Sequence, residues 1–188
     1  MQIKHGLVFD LEKGFEDRDL RIRDGVITDD PVEDPEIIDA AGCYVIPGLL
    51  DVHFHGCIGE DFSDASADGL QKMADYELSE GVTYICPAGM TLAEEQLTGI
   101  CRNAANHKKT SSAGAELVGV HLEGPFLSQA KKGAQNSDFL HKPDADMLLR
   151  LQKEADGLVI ASPVYYASAN ATLIAVLDRL FYSTSFDK

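Results

Sequence analysis

The sequence predicts an α/β fold in which a parallel sheet of about four βα units follows a small β-unit. Three observations carry that expectation. Residues 1–48 hold brief β-type apolar runs separated by turns, with no helical period. From Leu49 onward, strand-like runs alternate with amphipathic helical patterns. The side chains best suited to chemistry, His53, His55 and Glu123, fall at the ends of such runs, where parallel βα sheets gather their functional groups.

Taken in order, Val8 and Phe9, then Leu20, Ile22, Val26 and Ile27, then Ile37 and Ile38 are the β-type runs of the first 48 residues. Asp24-Gly25 is a hairpin-turn signal between two of them. Pro47-Gly48 then punctuates the entry to a new element. Residues 49–55 read as the first parallel strand, and a helix is expected near 66–80, with Leu70, Ala74 and Leu78 on one face. Residues 82–86 form the second strand, closed by Pro87. Thr91 with Glu94 has the spacing of a capping box, opening a helix that runs to about His107. Residues 117–122 are the third strand. Pro143 and Asp144 start a third helix that carries Met147, Leu148, Leu151 and Ala155 on one face and stops at Gly157. A fourth strand is expected at 158–161. A last helix near 169–182 follows, where Leu173, Val176, Leu177, Leu180 and Phe181 fit the helical template.

Bulk properties narrow the partners. A chain of 188 residues buries a real core in one or two domains. Its formal charge of −15 argues against a nucleic-acid groove or an anionic membrane surface. No run approaches the ~18 apolar residues of a membrane span, and the MQIKHGLVFD start lacks a signal-peptide core. The four cysteines, Cys43, Cys57, Cys86 and Cys101, form no C-x-x-C pair and read as reduced thiols of a cytoplasmic protein.

Alternation along a strand puts His53 and His55 on one face, roughly 6–7 Å apart. His121 and Glu123 share a face by the same rule. Two imidazoles and a carboxylate from different strand ends suit one divalent ion, and the donor set fits zinc, iron or manganese. Cys57 continues the alternation of the histidine pair. His121 either packs so as to orient Glu123 or joins the ligands.

The strings VIPGLLDVHFHG, GVTYICPAGMT, GVHLEGPF and KKGAQN, in that order and spacing, resemble the N-acetylglucosamine-6-phosphate deacetylases of the amidohydrolase superfamily, over residues 1 to about 153. The resemblance implies a partial β-sandwich at 1–48 and the first three βα units of a TIM-type barrel at 49–153. It implies a divalent metal held by Glu123, with His53 and His55 matching a second-metal pair, and contact with an amino-sugar phosphate at Ala134 and Gln135. The reaction implied is hydrolysis of the sugar's acetamido group by metal-activated water. The family's further metal-binding histidines and its catalytic aspartate have no counterpart here, so no catalytic residue is assigned and little activity is expected of this chain. Lys131-Lys132 is a basic pair in the matching loop, expected to be solvated.

Residues 154–188 resemble something else: the middle of a flavodoxin-like NADPH-dependent FMN reductase, in a strand, an S-P-V-Y-Y loop and a helix ending in L-D-R. That resemblance implies flavin contacts from Pro163, Tyr165 and Tyr166, alongside Ser162, Val164 and Ser168. The glycine- and serine-rich phosphate loop of such domains is absent, so FMN is the alternative cofactor, and packing of the two tyrosines over the sheet is the competing reading. The chain thus reads as a chimera. Its fold is expected to be a truncated half-barrel of about four βα units, or an open flavodoxin-like sheet, whose exposed edges favour homo-oligomers.

Overall fold

Asp24 and Gly25 adopt consecutive left-handed conformations, with φ of 53° and 77°, the two-residue turn whose twist matches a hairpin. They join two of the seven short strands of the first 48 residues. These are β1 (Gln2–Lys4), β2 (Leu7–Asp10), β3 (Gly14–Asp17), β4 (Leu20–Arg23), β5 (Val26–Ile27), β6 (Ile37–Asp39) and β7 (Tyr44–Val45). They form two sheets, in the orders β5-β4-β1-β6 and β3-β2-β7. Val8, Leu20 and Ala40 are buried, whereas Phe15 packs edge-on between Phe9 and Tyr44 at 5.4 and 4.9 Å.

This computed structural model describes residues 1–153 and 155–159, with the backbone alone at 164–165 and 168–169. It divides into two units, Met1–Gly48 and Leu49–Lys188. The second is mixed α/β: β8 (Leu49–Asp51), β9 (Gly56–Cys57), β10 (Glu60–Asp61), α1 (Ala67–Ser79), β11 (Val82–Ile85), β12 (Ala88–Gly89), α2 (Glu94–Thr110), β13 (Glu116–Leu117), β14 (His121–Leu122), α3 (Ala145–Gln152), and a two-stranded hairpin of β15 (Val164–Tyr165) and β16 (Ser168–Ala169). Strands β8, β11 and β13 make a parallel sheet in the order β13-β11-β8. Strands β12 and β14 pair in parallel just beyond it, Ala88 opposite His121 and Gly89 opposite Leu122.

The sheet is two-faced. Ile85 and Leu117, paired in register, join Leu70, Met73, Leu97, Ile100, Met147 and Leu151 in one buried core under the helices. Tyr84, next to Ile85 on β11, pairs in register with Leu50 on β8, yet the two are 43% and 52% exposed. Alternation therefore sends one side of the sheet into the core and leaves the other open among the described residues.

Several sequence expectations need correcting. The first strand stops at Asp51, because the Asp51 carboxylate accepts the His53 N–H at 2.9 Å and turns the chain out of the ladder. The third strand is split into β13 and β14, with Gly119 between them contributing no side chain to either face. In α1 the buried stripe is Leu70, Met73, Ala74 and Glu77, while Leu78 is exposed. At 3.6 residues per turn, a seven-residue step returns to the same face and an eight-residue step overshoots it. Helix α2 is capped at Ala93, whose N–H donates to Gln96, so Thr91 is not its cap.

Helix α3 starts as expected, with the Asp144 carboxylate accepting from Asp146 and Met147. It ends at Gln152, so Ala155 and Gly157 lie beyond it. Leu158 and Val159 carry no strand pairing, and the rest of the expected fourth strand lies outside the described residues. The last helix does too, except Ala169, which sits in β16.

Candidate metal centre

His53 and His55 stand just past β8, on the backbone that the Asp51 turn redirects. Glu123 directly follows β14. The pairing of β14 with β12, extended by the Glu123 N–H to the Gly89 carbonyl at 3.1 Å, brings this carboxylate back to the histidines. His55 Nε2 lies 3.0 Å and His53 Nε2 3.8 Å from the same oxygen, Glu123 Oε2. One nitrogen from each imidazole and one carboxylate oxygen all fall within 4.8 Å of one another.

The donor set fits a divalent cation. Ligands at ~2.1 Å in a tetrahedral arrangement stand roughly 3.4 Å apart, and the spacings to Glu123 bracket that value. His55 Nδ1 is 3.0 Å from the Ala88 carbonyl. That carbonyl can only accept, so a proton on Nδ1 would satisfy it and leave the Nε2 lone pair for a cation. Each of the three side chains is more than a third exposed. A histidine–carboxylate pair in such surroundings adds little to stability.

The neighbouring histidine and cysteine play other parts. His121 is exposed, stacks edge-on against His53 with ring centroids 4.7 Å apart, and has Nδ1 at 3.4 Å from the Val52 carbonyl. It therefore borders the cluster without being one of the three converging groups. Cys57 turns away to hydrogen bond with Glu77, and burial first, then that carboxylate, push its thiol up.

Ala134 is exposed, whereas Gln135 is 2% exposed. Gln135 Oε1 accepts the Thr91 N–H at 2.7 Å and its Nε2 faces Met90 Sδ at 3.7 Å, so both ends of the amide are taken up within the protein. Lys132 reaches back to the Gln135 carbonyl at 2.6 Å, and Lys131 is exposed. Pro163 and Tyr166, and the side chain of Tyr165, lie outside the described residues.

Sequence reasoning missed the roles of Thr91 and Ala88. The available signal was Gly124 of HLEGPF: at its φ of 104°, an added Cβ would collide with Thr91 Oγ1, which marks a close approach between the two segments.

Among characterised proteins, the chain is similar to the N-acetylglucosamine-6-phosphate deacetylase of Bacillus subtilis, at 35% identity over 147 residues. That match covers 73% of this chain and 37% of the relative, so the chain spans well under half the length of the curated relatives it matches. The crystal structure of N-acetylglucosamine-6-phosphate deacetylase from Thermotoga maritima superposes with a TM-score of 0.65 at 28% identity, covering 80% of this chain and 39% of that one. The Pasteurella multocida enzyme gives a TM-score of 0.73 at 23% identity, over 82% and 42%, a likeness of fold. The sequence model of the NADPH-dependent FMN reductase family matches residues 94–188, starting well before the join expected near 153. Residues 1–93 are too few to account for the structural likeness, so the two resemblances overlap.

Proposed function

We propose, for a chain that belongs to the N-acetylglucosamine-6-phosphate deacetylases across most of its length and to the NADPH-dependent FMN reductase family in its C-terminal segment, a divalent-metal centre of the amide-hydrolase kind on His53, His55 and Glu123. The observation that carries this reading is the approach of both imidazole Nε2 atoms to a single Glu123 oxygen, from separate strand ends. A bound cation supplies Lewis acidity, lowering the pKa of water and polarising an amide carbonyl. His53 and His55 would hold the cation through Nε2, with His55 oriented by the Ala88 carbonyl at its Nδ1, and Glu123 would contribute the negative charge.

The substrate class is an amino-sugar phosphate carrying an acetamido group, by kinship with the deacetylases. With the Gln135 amide occupied, contact with the sugar at 134–135 is made by the backbone or by the exposed edge at Ala134. The domain reading follows the same kinship: a β-sandwich portion at 1–48, opening barrel units at 49–153 and a flavodoxin-like fragment after them. The half-barrel form is supported by the parallel β13-β11-β8 order. No described helix is long and apolar enough to cross a membrane.

Metal titration tests the centre. The chelator-treated chain takes up about one equivalent of Co²⁺ or Zn²⁺ per copy, and the His53→Ala/His55→Ala/Glu123→Ala variant loses that uptake. Unchanged uptake in the triple variant ends the reading. Because no general acid/base partners the three ligands among the described residues, the deacetylase rate is expected ~10²–10⁴-fold below that of the curated relatives. A second reading, flavin contact by Pro163, Tyr165 and Tyr166, is supported by the reductase-family match. Quenching of FMN fluorescence on titration checks it, and an unquenched signal at high micromolar flavin dismisses it.

A further inference from the structure

The two elements that bear the ligands are fastened to one short stretch, residues 88–91. The Ala88 carbonyl faces His55 Nδ1 at 3.0 Å. The Gly89 carbonyl accepts the Glu123 N–H at 3.1 Å. Thr91 Oγ1 donates to the Glu123 carbonyl at 2.8 Å. Both backbone polar groups of Glu123 are thus held by this stretch, on either side of the carbon that launches its carboxylate.

The stretch is itself pinned from behind. Gln135 Oε1 accepts the Thr91 N–H at 2.7 Å, between residues that are 2% and 1% exposed. Ser63 Oγ accepts the Met90 N–H at 3.2 Å. The Lys132 ammonium holds the Gln135 carbonyl at 2.6 Å. There is no slack on the ligand side either, because Gly124 lies too close to Thr91 Oγ1 to admit a Cβ.

We propose that Thr91 and Gln135 are positioning residues of the metal centre: Thr91 sets the backbone from which Glu123 projects, and Gln135 locks Thr91 in place. The inference rests on the metal reading of His53, His55 and Glu123. It assigns the Gln135 side chain to the protein rather than to a sugar ligand. Fixed hydrogen-bond partners behind a ligand matter because the ion rewards only side chains already at the right spacing, and removing such partners commonly weakens metal affinity ~10–100-fold.

The test is Co²⁺ titration of the metal-free chain, with its own thermal melt as the check on folding. Thr91→Val, which keeps shape and removes the hydroxyl, is expected to weaken Co²⁺ about 10–100-fold. Thr91→Ser, which restores the donor, is expected within about threefold of wild type. Gln135→Met keeps length and loses the acceptor for Thr91 N–H, and about tenfold weakening is expected. If Thr91→Val and Gln135→Met fold without metal and bind Co²⁺ like wild type, the inference is overturned. Where Thr91→Val does not hold its fold, Gln135→Met decides.

Amide hydrogen exchange of the metal-free wild type supplies an independent arm. Slow exchange at Thr91 and Glu123 is expected, with Thr91 accelerated in Gln135→Met; fast exchange at both in wild type overturns the clamp. A wild-type chain that takes no Co²⁺ while keeping those amides slow overturns the metal reading, and the positioning role with it, but leaves the clamp standing. The two failures are therefore distinguishable.

Discussion

Glu77 is a carboxylate where the α1 stripe calls for an apolar side chain, seven residues after Leu70 and almost fully buried. Burial pushes its pKa up, and the nearby Asp51 charge adds to the rise. A native carboxyl with a raised pKa keeps its proton while the unfolded chain has already released one. The stability it contributes is complete below the ordinary carboxylate value and is lost as pH climbs through the raised native one. Glu77→Gln is therefore expected to be more stable than wild type at pH 7, with the gain shrinking toward zero near about pH 4. Urea denaturation of both chains at the two pH values checks it; an equal gain at both would assign the effect to packing. Glu77 also shows which residues announce themselves. His53, His55 and Glu123 stand out because a histidine pair and a carboxylate at matching strand ends together suit one cation, where the pair alone would more often be structural. Thr91 and Gln135 do not, because threonine and glutamine serve in caps, turns and surfaces alike. The Thr91–Glu94 spacing even imitated a capping box, and a hydrogen bond spanning 44 residues leaves no local pattern to read.

Helices α1 and α2 and the start of α3 formed where periodicity places them, since one buried stripe repeats over several turns and tolerates a single mismatch such as Leu78. The strands were harder. A run of apolar residues gives no hint that Asp51 will fold back on the His53 N–H, or that β13 and β14 belong to different pairings. The hairpin of β9 and β10 went unseen for a related reason. Its turn is Ile58-Gly59, with φ of 48° and 85°, and a β-branched residue is a poor advertisement for a left-handed turn position. Ile58 is 56% exposed, so it recovers little by packing. Ile58→Asn installs the favoured asparagine–glycine turn and is expected to stabilise the metal-free chain by about 1 kcal/mol. A denaturation midpoint at or below wild type would show that the isoleucine side chain outweighs its backbone strain. Since β9 follows His55 directly, the same variant is expected to leave metal affinity unimpaired.

The second unit carries a sheet finished on one side only. Ile85 and Leu117 close against the helices, while Leu50 and Tyr84, and the flanking Val52 and Val118, remain substantially exposed. Strand β8 also ends the β13-β11-β8 order, with no further strand beyond it among the described residues. An apolar sheet face beside an open edge is a template for association, because a second copy offers both matching strand groups and a matching apolar surface. The net charge of −15 opposes that approach, and the repulsion weakens as salt shortens the screening length. The expectation is self-association that rises with concentration and is stronger near 1 M than near 0.1 M salt, read by sedimentation velocity. Leu50→Lys puts a cation into the centre of the open face and is expected to shift the chain toward monomer at both salt levels. A wild type that stays monomeric to about 100 μM in high salt would overturn association through this face.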